Sequence, residues 1–199
     1  MSHPTAQGLL PAEHRALREL HATARQVQNH WTRLAKRLDM DLLLEGANAS
    51  AALLDELEEQ VGADHDLHGQ PAAQGLGARL AGARGVSDLL LERNQAFRAA
   101  VLDVQHVTTL LAYLGALALT RGDEGLAAWH ARWEERMRAL EERGRAAAAE
   151  MAGDPEAAIA PAEDSTLGRA GVRIGQAMGT LGEAIDASAV GRLARRRPT

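Results

Sequence analysis

The sequence predicts an all-α protein, an up-and-down antiparallel helical bundle built on a long central helical hairpin. Three observations carry this. Apolar residues recur at alternating spacings of three and four over long stretches, glycine and proline fall between those stretches, and a chain of 199 residues is long enough for one medium domain with a core of its own.

The hairpin spans Val86–Met151. In the first arm the repeat runs Val86, Leu90, Phe97, Ala100, Val104, Val107, Leu111, Leu114 and Ala118, with Arg93 breaking the spacing. Ser87 is the expected N-cap of that arm, because its hydroxyl can accept from an orphan N–H of the first turn. Leu126, His130, Trp133, Met137, Leu140, Gly144, Ala147 and Met151 continue the repeat in the second arm. A period of 3.5 implies a narrow seam that needs a facing helix. Between the arms, Gly122 suits a left-handed helix end and Asp123 or Glu124 caps the return; Asp154-Pro155 ends the second arm. If the turn centres near Gly122, facing residues sum to 243 or 244. His106 then faces Met137, His130 faces Tyr113 or Leu114, and Phe97 packs on the alanines near Ala146.

The remaining segments follow in chain order. Residues 1–11 read as a flexible N-terminus, 12–152 as the bundle, 153–164 as a linker, and 165–199 as a glycine-striped amphipathic helix with a basic tail. Pro11 suits a first helical position, and Leu17, Leu20, Ala24, Val27, Trp31, Leu34 and Leu38 form the seam of helix 1. Helix 2 is expected to begin at Asn48 or Ser50 and to present Leu53, Leu54, Leu57 and Val61 to the core. Residues 62–77, with Pro71 and four glycines, form the least regular interior stretch. In the last helix Leu167, Gly171, Ile174, Met178, Leu181 and Ile185 keep the repeat, and Gly171, Gly175 and Gly179 lie on a stripe that allows close backbone approach. Arg192, Arg195 and Arg196 belong to a basic end that could touch an anionic surface.

Composition narrows the function classes. There is no cysteine, so neither disulfides nor thiol chemistry is available. Arginine outnumbers lysine 21 to 1, in the manner of GC-rich bacterial coding sequence. The N-terminus lacks a signal-peptide pattern, and the longest uncharged run, Val104–Thr120, falls short of the ~20 apolar residues that span a bilayer. A cytoplasmic location is the expectation. A net charge of −5 gives no global attraction to nucleic acid, and basic residues are not interleaved with aromatics. Residues 12–38 carry six basic and two acidic side chains, whereas 39–66 carry nine acidic and no basic ones, so these neighbouring helices are expected to neutralise each other.

Chemistry has few candidates. Glu-x-x-His, which ferritin-like di-iron bundles need, occurs nowhere in the chain. Asp64, His65, Asp66 and His68 are the nearest cluster, and two imidazoles with flanking carboxylates can ligate a divalent metal. His106 and His130 lie too far apart along the hairpin to share an ion, and His130 is expected to hydrogen-bond inside the core, with Tyr113 as a partner. No G-x-S-x-G is present, and Gly75-Leu-Gly77 lacks the third glycine and the preceding strand of a dinucleotide loop. Trp31 and Trp133 fall on seams, whereas Trp129 lies beside one, where a partly exposed indole can anchor an interface.

No family signature is present. The stretch Ser188-Ala-Val-Gly-Arg-Leu-Ala-Arg195 resembles the C-terminal Val-Gly-x-Leu targeting peptides of encapsulin cargo proteins, which would imply a protein shell as partner. The amphipathic, alanine-rich helices are similar to those of phasin-type granule-coating proteins. The reading is therefore a non-enzymatic bundle acting by protein–protein contact or self-association, without a cofactor. A metal-binding bundle, or a surface or shell binder acting through the C-terminal segment, are the alternatives.

Overall fold

The computed structural model describes residues 8–61 and 91–162, and these form a helical bundle with no named strand among them. Helix α1 is Pro11–Leu38, α2 is Asp41–Val61, α3 is Arg93–Thr120 and α4 is Glu124–Glu150. A 3₁₀ turn at Met151–Gly153 and a four-residue helix, α5, at Pro155–Ala158 follow.

Each long helix packs on two others: α1 on α2 and α3, and α4 on α3 and α2. Pairings along α1 and α3 run in opposite directions, from Glu13–Arg121 through His30–Asp103 to Leu38–Arg93. Glu45–Arg143 and Glu56–Trp129 make α2 antiparallel to α4 in the same way. All spatial neighbours are thus antiparallel, as expected. The order along the chain, however, is up, down, down, up, because the chain leaves α2 at one end of the bundle and enters α3 at the other. Residues 62–90 lie between those two points.

Local chemistry sets the ends. Pro11 opens α1, where a missing N–H costs nothing, and the Glu13 carboxylate accepts from the Leu10 backbone N–H at 3.2 Å. Asp39 ends α1 in the left-handed region at φ 56°, ψ 55°, a conformation that Asp tolerates better than most residues. The chain consequently reverses within Asp39-Met40, and α2 begins at Asp41, earlier than the Asn48 or Ser50 expected. At the hairpin turn the Gly122 N–H bonds to Leu119 O and the Asp123 N–H to Ala118 O, a Schellman motif with Gly122 at φ 80°. Asp123 then caps α4 by accepting from the Leu126 N–H at 2.9 Å.

The first arm of the hairpin starts later than its apolar pattern suggested. Arg93 is the first residue of α3, and its guanidinium donates to Leu38 O at 2.8 Å, which explains why it interrupts the seam. Ahead of it, Glu92 is extended and bridges Pro161, and the Leu91 carbonyl accepts from the Ala162 N–H. Ser87, the expected cap, lies outside the described residues. The same pairing holds the chain as far as residue 162. Arg93 N–H donates to Ala160 O at 2.8 Å, Asn94 donates to Ala158 O at 2.8 Å, and Ala162 is buried, so this stretch is tied back onto the start of α3.

The core joins all four long helices. Leu17, Leu20, Trp31, Leu34, Leu53, Leu57, Phe97, Leu111, Leu114, Trp133 and Met137 are buried in one cluster. Trp31 reaches α2 at Gly46, where an added Cβ would sit 2.2 Å from the indole Cζ3. That glycine is the space the ring occupies. Gly144 plays a smaller version of the same role, its hypothetical Cβ lying 2.9 Å from Val101 Cγ2.

Candidate functional site

Gly115 faces His130, and Val101 faces Gly144, so facing residues across the hairpin sum to 245. The expected sum of 243 or 244 is corrected because the turn centres between Gly122 and Asp123. Phe97 accordingly lies opposite Ala148, and Ala147 and Ala148 pack against the core beside it. His130 is wholly buried, and neither ring nitrogen has a hydrogen-bond partner; Tyr113, proposed as its partner, is 49% exposed on the other side of α3. Burial pushes the His130 imidazole down from 6.5 to about 4, against a weaker upward pull from Asp123. His106 does not face Met137; it turns outward and meets Glu19 of α1 at 3.0 Å. The two histidines are nine residues of helix rise apart, roughly 13 Å, and point away from each other.

Polar groups cross between the described helices at several places. At the turn, Glu13 is fully buried and takes two hydrogen bonds from Arg121 at 3.1 Å, while Arg121 also reaches Asp123 at 3.0 Å. On the α1–α3 seam, His30 Nδ1 lies 3.3 Å from Asp103 Oδ2, both buried. Between α2 and α4, Glu56 Oε2 accepts from Trp129 Nε1 at 3.0 Å, Trp133 Nε1 at 2.8 Å and Arg132 at 2.9 Å. Burial alone would raise the Glu56 carboxyl, but the bonds from Trp133, Trp129 and Arg132 outweigh it and hold it below its ordinary value. Trp129 is therefore 3% exposed and committed to Glu56, not partly exposed as its place beside the seam suggested.

The acidic face of α2 finds its arginines on α4. Glu45 takes two bonds from Arg143 at 2.6 and 2.7 Å, and Glu56 takes Arg132. From α1 it is a histidine, His21, that approaches Glu58 at 3.5 Å. The acidic side of α2 is thus met by a third helix, α4, as well as by α1.

Asp64, His65, Asp66 and His68 lie outside the described residues, as do Gly171, Gly175, Gly179, Arg192, Arg195 and Arg196. Among the described residues no three His, Cys, Asp or Glu side chains come together where they could hold a metal ion. Among the described residues the interior is dominated by Leu, Val, Ala and Trp.

One surface differs from the rest. The outer side of α3 from Leu102 to Thr120 presents Leu102, Gln105, His106, Thr109, Ala112, Tyr113, Ala116, Leu119 and Thr120, with no carboxylate or guanidinium. Leu102 and Leu119 are each 61% exposed. By length and composition α3 is apolar enough to cross a membrane, with mean hydropathy 1.3 over its best 18 residues, above the sequence expectation. Half of that window is buried against the other helices, as in a core helix. Sequence reasoning treated this run only as core; the signal it passed over was the absence of charge on the positions between seam residues. The chain matches no family model, no curated protein and no solved structure.

Proposed function

We propose that this protein is a non-enzymatic helical module that acts in the cytoplasm by protein–protein contact, and that the outer face of α3 makes the contact. The observation that carries the reading is the uncharged strip from Leu102 to Thr120 on a bundle whose other long helices turn charge outward. Arg18 and Arg25 on α1, Asp55 and Glu59 on α2, and Glu135 and Arg136 on α4 suit water on those sides. Exposed apolar side chains aligned along one helix, flanked by polar neighbours, are the usual mark of a contact surface. The reading assigns no catalytic residue and no cofactor.

A photo-crosslinking residue placed at Tyr113 tests this, with the same residue at Ala139 on the outer face of α4 as control. Protein adducts formed in the native cell at position 113, and not at 139, are expected. Equal labelling at both positions, or no protein adduct at 113, would refute the assignment.

A further inference from the structure

Beyond Arg98, the outer side of α3 keeps a spacing of its own. Ala99, Leu102, His106, Thr109, Tyr113 and Ala116 follow one another at alternating steps of three and four, on the side away from the buried seam. The same steps occur in a stretch that lies outside the described residues, at Gly171, Ile174, Met178, Leu181, Ile185 and Ser188. Each member of the second series stands 72 positions after its counterpart in the first. The chain brings the two together in nearly that phase, because the Ala162 N–H is bonded to Leu91 O, 71 positions earlier. Asn94, donating to Ala158 O, sets this closing stretch on the flank of α3 that also carries Arg98. The pairing there is antiparallel, so the chain must turn back to follow α3. Residues 163–166 span up to about 13 Å, which is enough for that.

Resting on the contact reading above, we propose that residues 165–188 lie parallel to α3 along this outer side, so that a partner must displace them to reach it. Leu102 then meets Ile174 and Tyr113 meets Ile185, while Ala99 meets Gly171, where two small residues allow close approach. At a helical step of about 100° per residue, Arg169, Arg173, Glu183 and Asp186 fall on the opposite side of the segment, toward water. Charge singles out the same occupant. Between Gln95 and Thr120, Arg98 is the one exposed Asp, Glu, Lys or Arg, and its guanidinium reaches back to Asn94 Oδ1 at 2.9 Å. Glu163 and Asp164 follow Ala162 at that end of α3, where they offset it. Length agrees as well. The 24 residues from 165 to 188 reach about 36 Å as helix, against about 38 Å from Gln95 to Thr120. The strip beyond Arg98 is about 27 Å long and 10 Å wide, well below the ~800 Å² per partner of a standard interface. A free partner gains little from so small a face. A tethered segment has an effective concentration on the order of millimolar, so it sets the threshold that a partner must exceed.

The chain has no cysteine, so introduced thiols report the register without background. Tyr113→Cys with Ile185→Cys in one full-length chain, treated at micromolar concentration with a short bis-maleimide, is expected to give an intramolecular link at monomer mass. Tyr113→Cys with Leu167→Cys should give none, because that position falls about 27 Å away along the segment. Leu102→Cys with Ile174→Cys repeats the test should the first pair disturb the fold, which circular dichroism reports. In the native cell, Met178→Glu with Leu181→Glu should raise the protein adducts from a photo-crosslinking residue at position 113 by about fivefold or more. A link between 113 and 167, or no link in either matched pair, would overturn the docked segment. Adducts that the doubly charged variant leaves unchanged would overturn its control of access. In both cases, adducts at position 113 and not at 139 keep the contact reading standing. If the matched link forms but neither chain gives protein adducts at 113, the contact reading falls and the docked segment stands.

Discussion

The two arms of the hairpin, α3 and α4, are nearly equal in length, at 28 and 27 residues, and pack along one shared seam. Their inner faces obey the same rule and their outer faces do not. Arm α4 turns Arg132, Glu135, Arg136, Arg138, Glu142, Arg143 and Arg145 to the outside, whereas α3 beyond Arg98 turns out Leu102, Thr109, Ala112, Tyr113 and Ala116. Packing of α3 against α4 constrains only the seam. The outer positions are free of that demand. Arm α4 also holds polar groups inward, on Glu56 and at His130, while the inward carboxylate of α3, Asp103, is bound to His30.

The largest effect should fall where both arms share one support. Glu13→Ala leaves the nearly buried Arg121 without its main partner and should cost about 3–5 kcal/mol by urea denaturation, loosening α3 and α4 together. A loss below about 1 kcal/mol would mean that Asp123 alone suffices.

Next comes a term that α4 carries through His130. Its imidazole charges more readily in the unfolded chain than in the folded one. Stability is therefore full above the unfolded value of 6.5 and declines by about 3 kcal/mol as pH falls to about 4. His130→Leu should flatten that window in thermal melts taken between those limits. An unchanged acid slope would place the sensitivity elsewhere.

Glu56→Ala should cost about 1–3 kcal/mol, since two indole N–H groups lose their acceptor while water reaches part of the site. The Glu56 carboxyl is held low, so the stability it contributes is present above the ordinary carboxylate range and is lost as pH drops through its folded value. Glu56→Gln should remove that component of the acid limb.

The smallest stability effect gives the sharpest contrast between the arms. Leu102→Glu on α3 and Ala139→Glu on α4 should each move stability by no more than about 0.5 kcal/mol, both sites being exposed. Only the α3 change should reduce the protein adducts formed by a photo-crosslinking residue at position 113.

Much of this architecture was legible in the sequence because periodicity and helix punctuation are local. The seam of α1, that of α3 from Phe97 to Ala118 and that of α4 from His130 to Gly144 are written in neighbouring residues and are buried as expected, and the chain reverses at Gly122-Asp123. What was not legible depends on distant segments. Asp39 does the work usually signalled by glycine, so the start of α2 was placed too late. Backbone pairing of Leu91–Arg93 with Ala160–Ala162 has no composition signature, so neither the start of α3 nor the fate of the supposed linker could be read. Whether Glu56 meets α1 or α4 depends on the order of the helices around the bundle. A shift of two in the hairpin sum, from 243 to 245, separated an expected His130–Tyr113 bond from a buried ring without a partner. As for the contact face, its meaning lies in positions that periodicity discards.

The pairing of Leu91–Arg93 with Ala160–Ala162 has a consequence for how this protein can be rebuilt. The Ala162 N–H reaches Leu91 O at 3.2 Å, so the stretch 91–162 leaves the bundle where it entered. A segment whose two ends meet can be grafted into a surface turn of another protein without prying that host apart. The hairpin thereby becomes a portable cassette, and its uncharged face could be displayed on an unrelated scaffold.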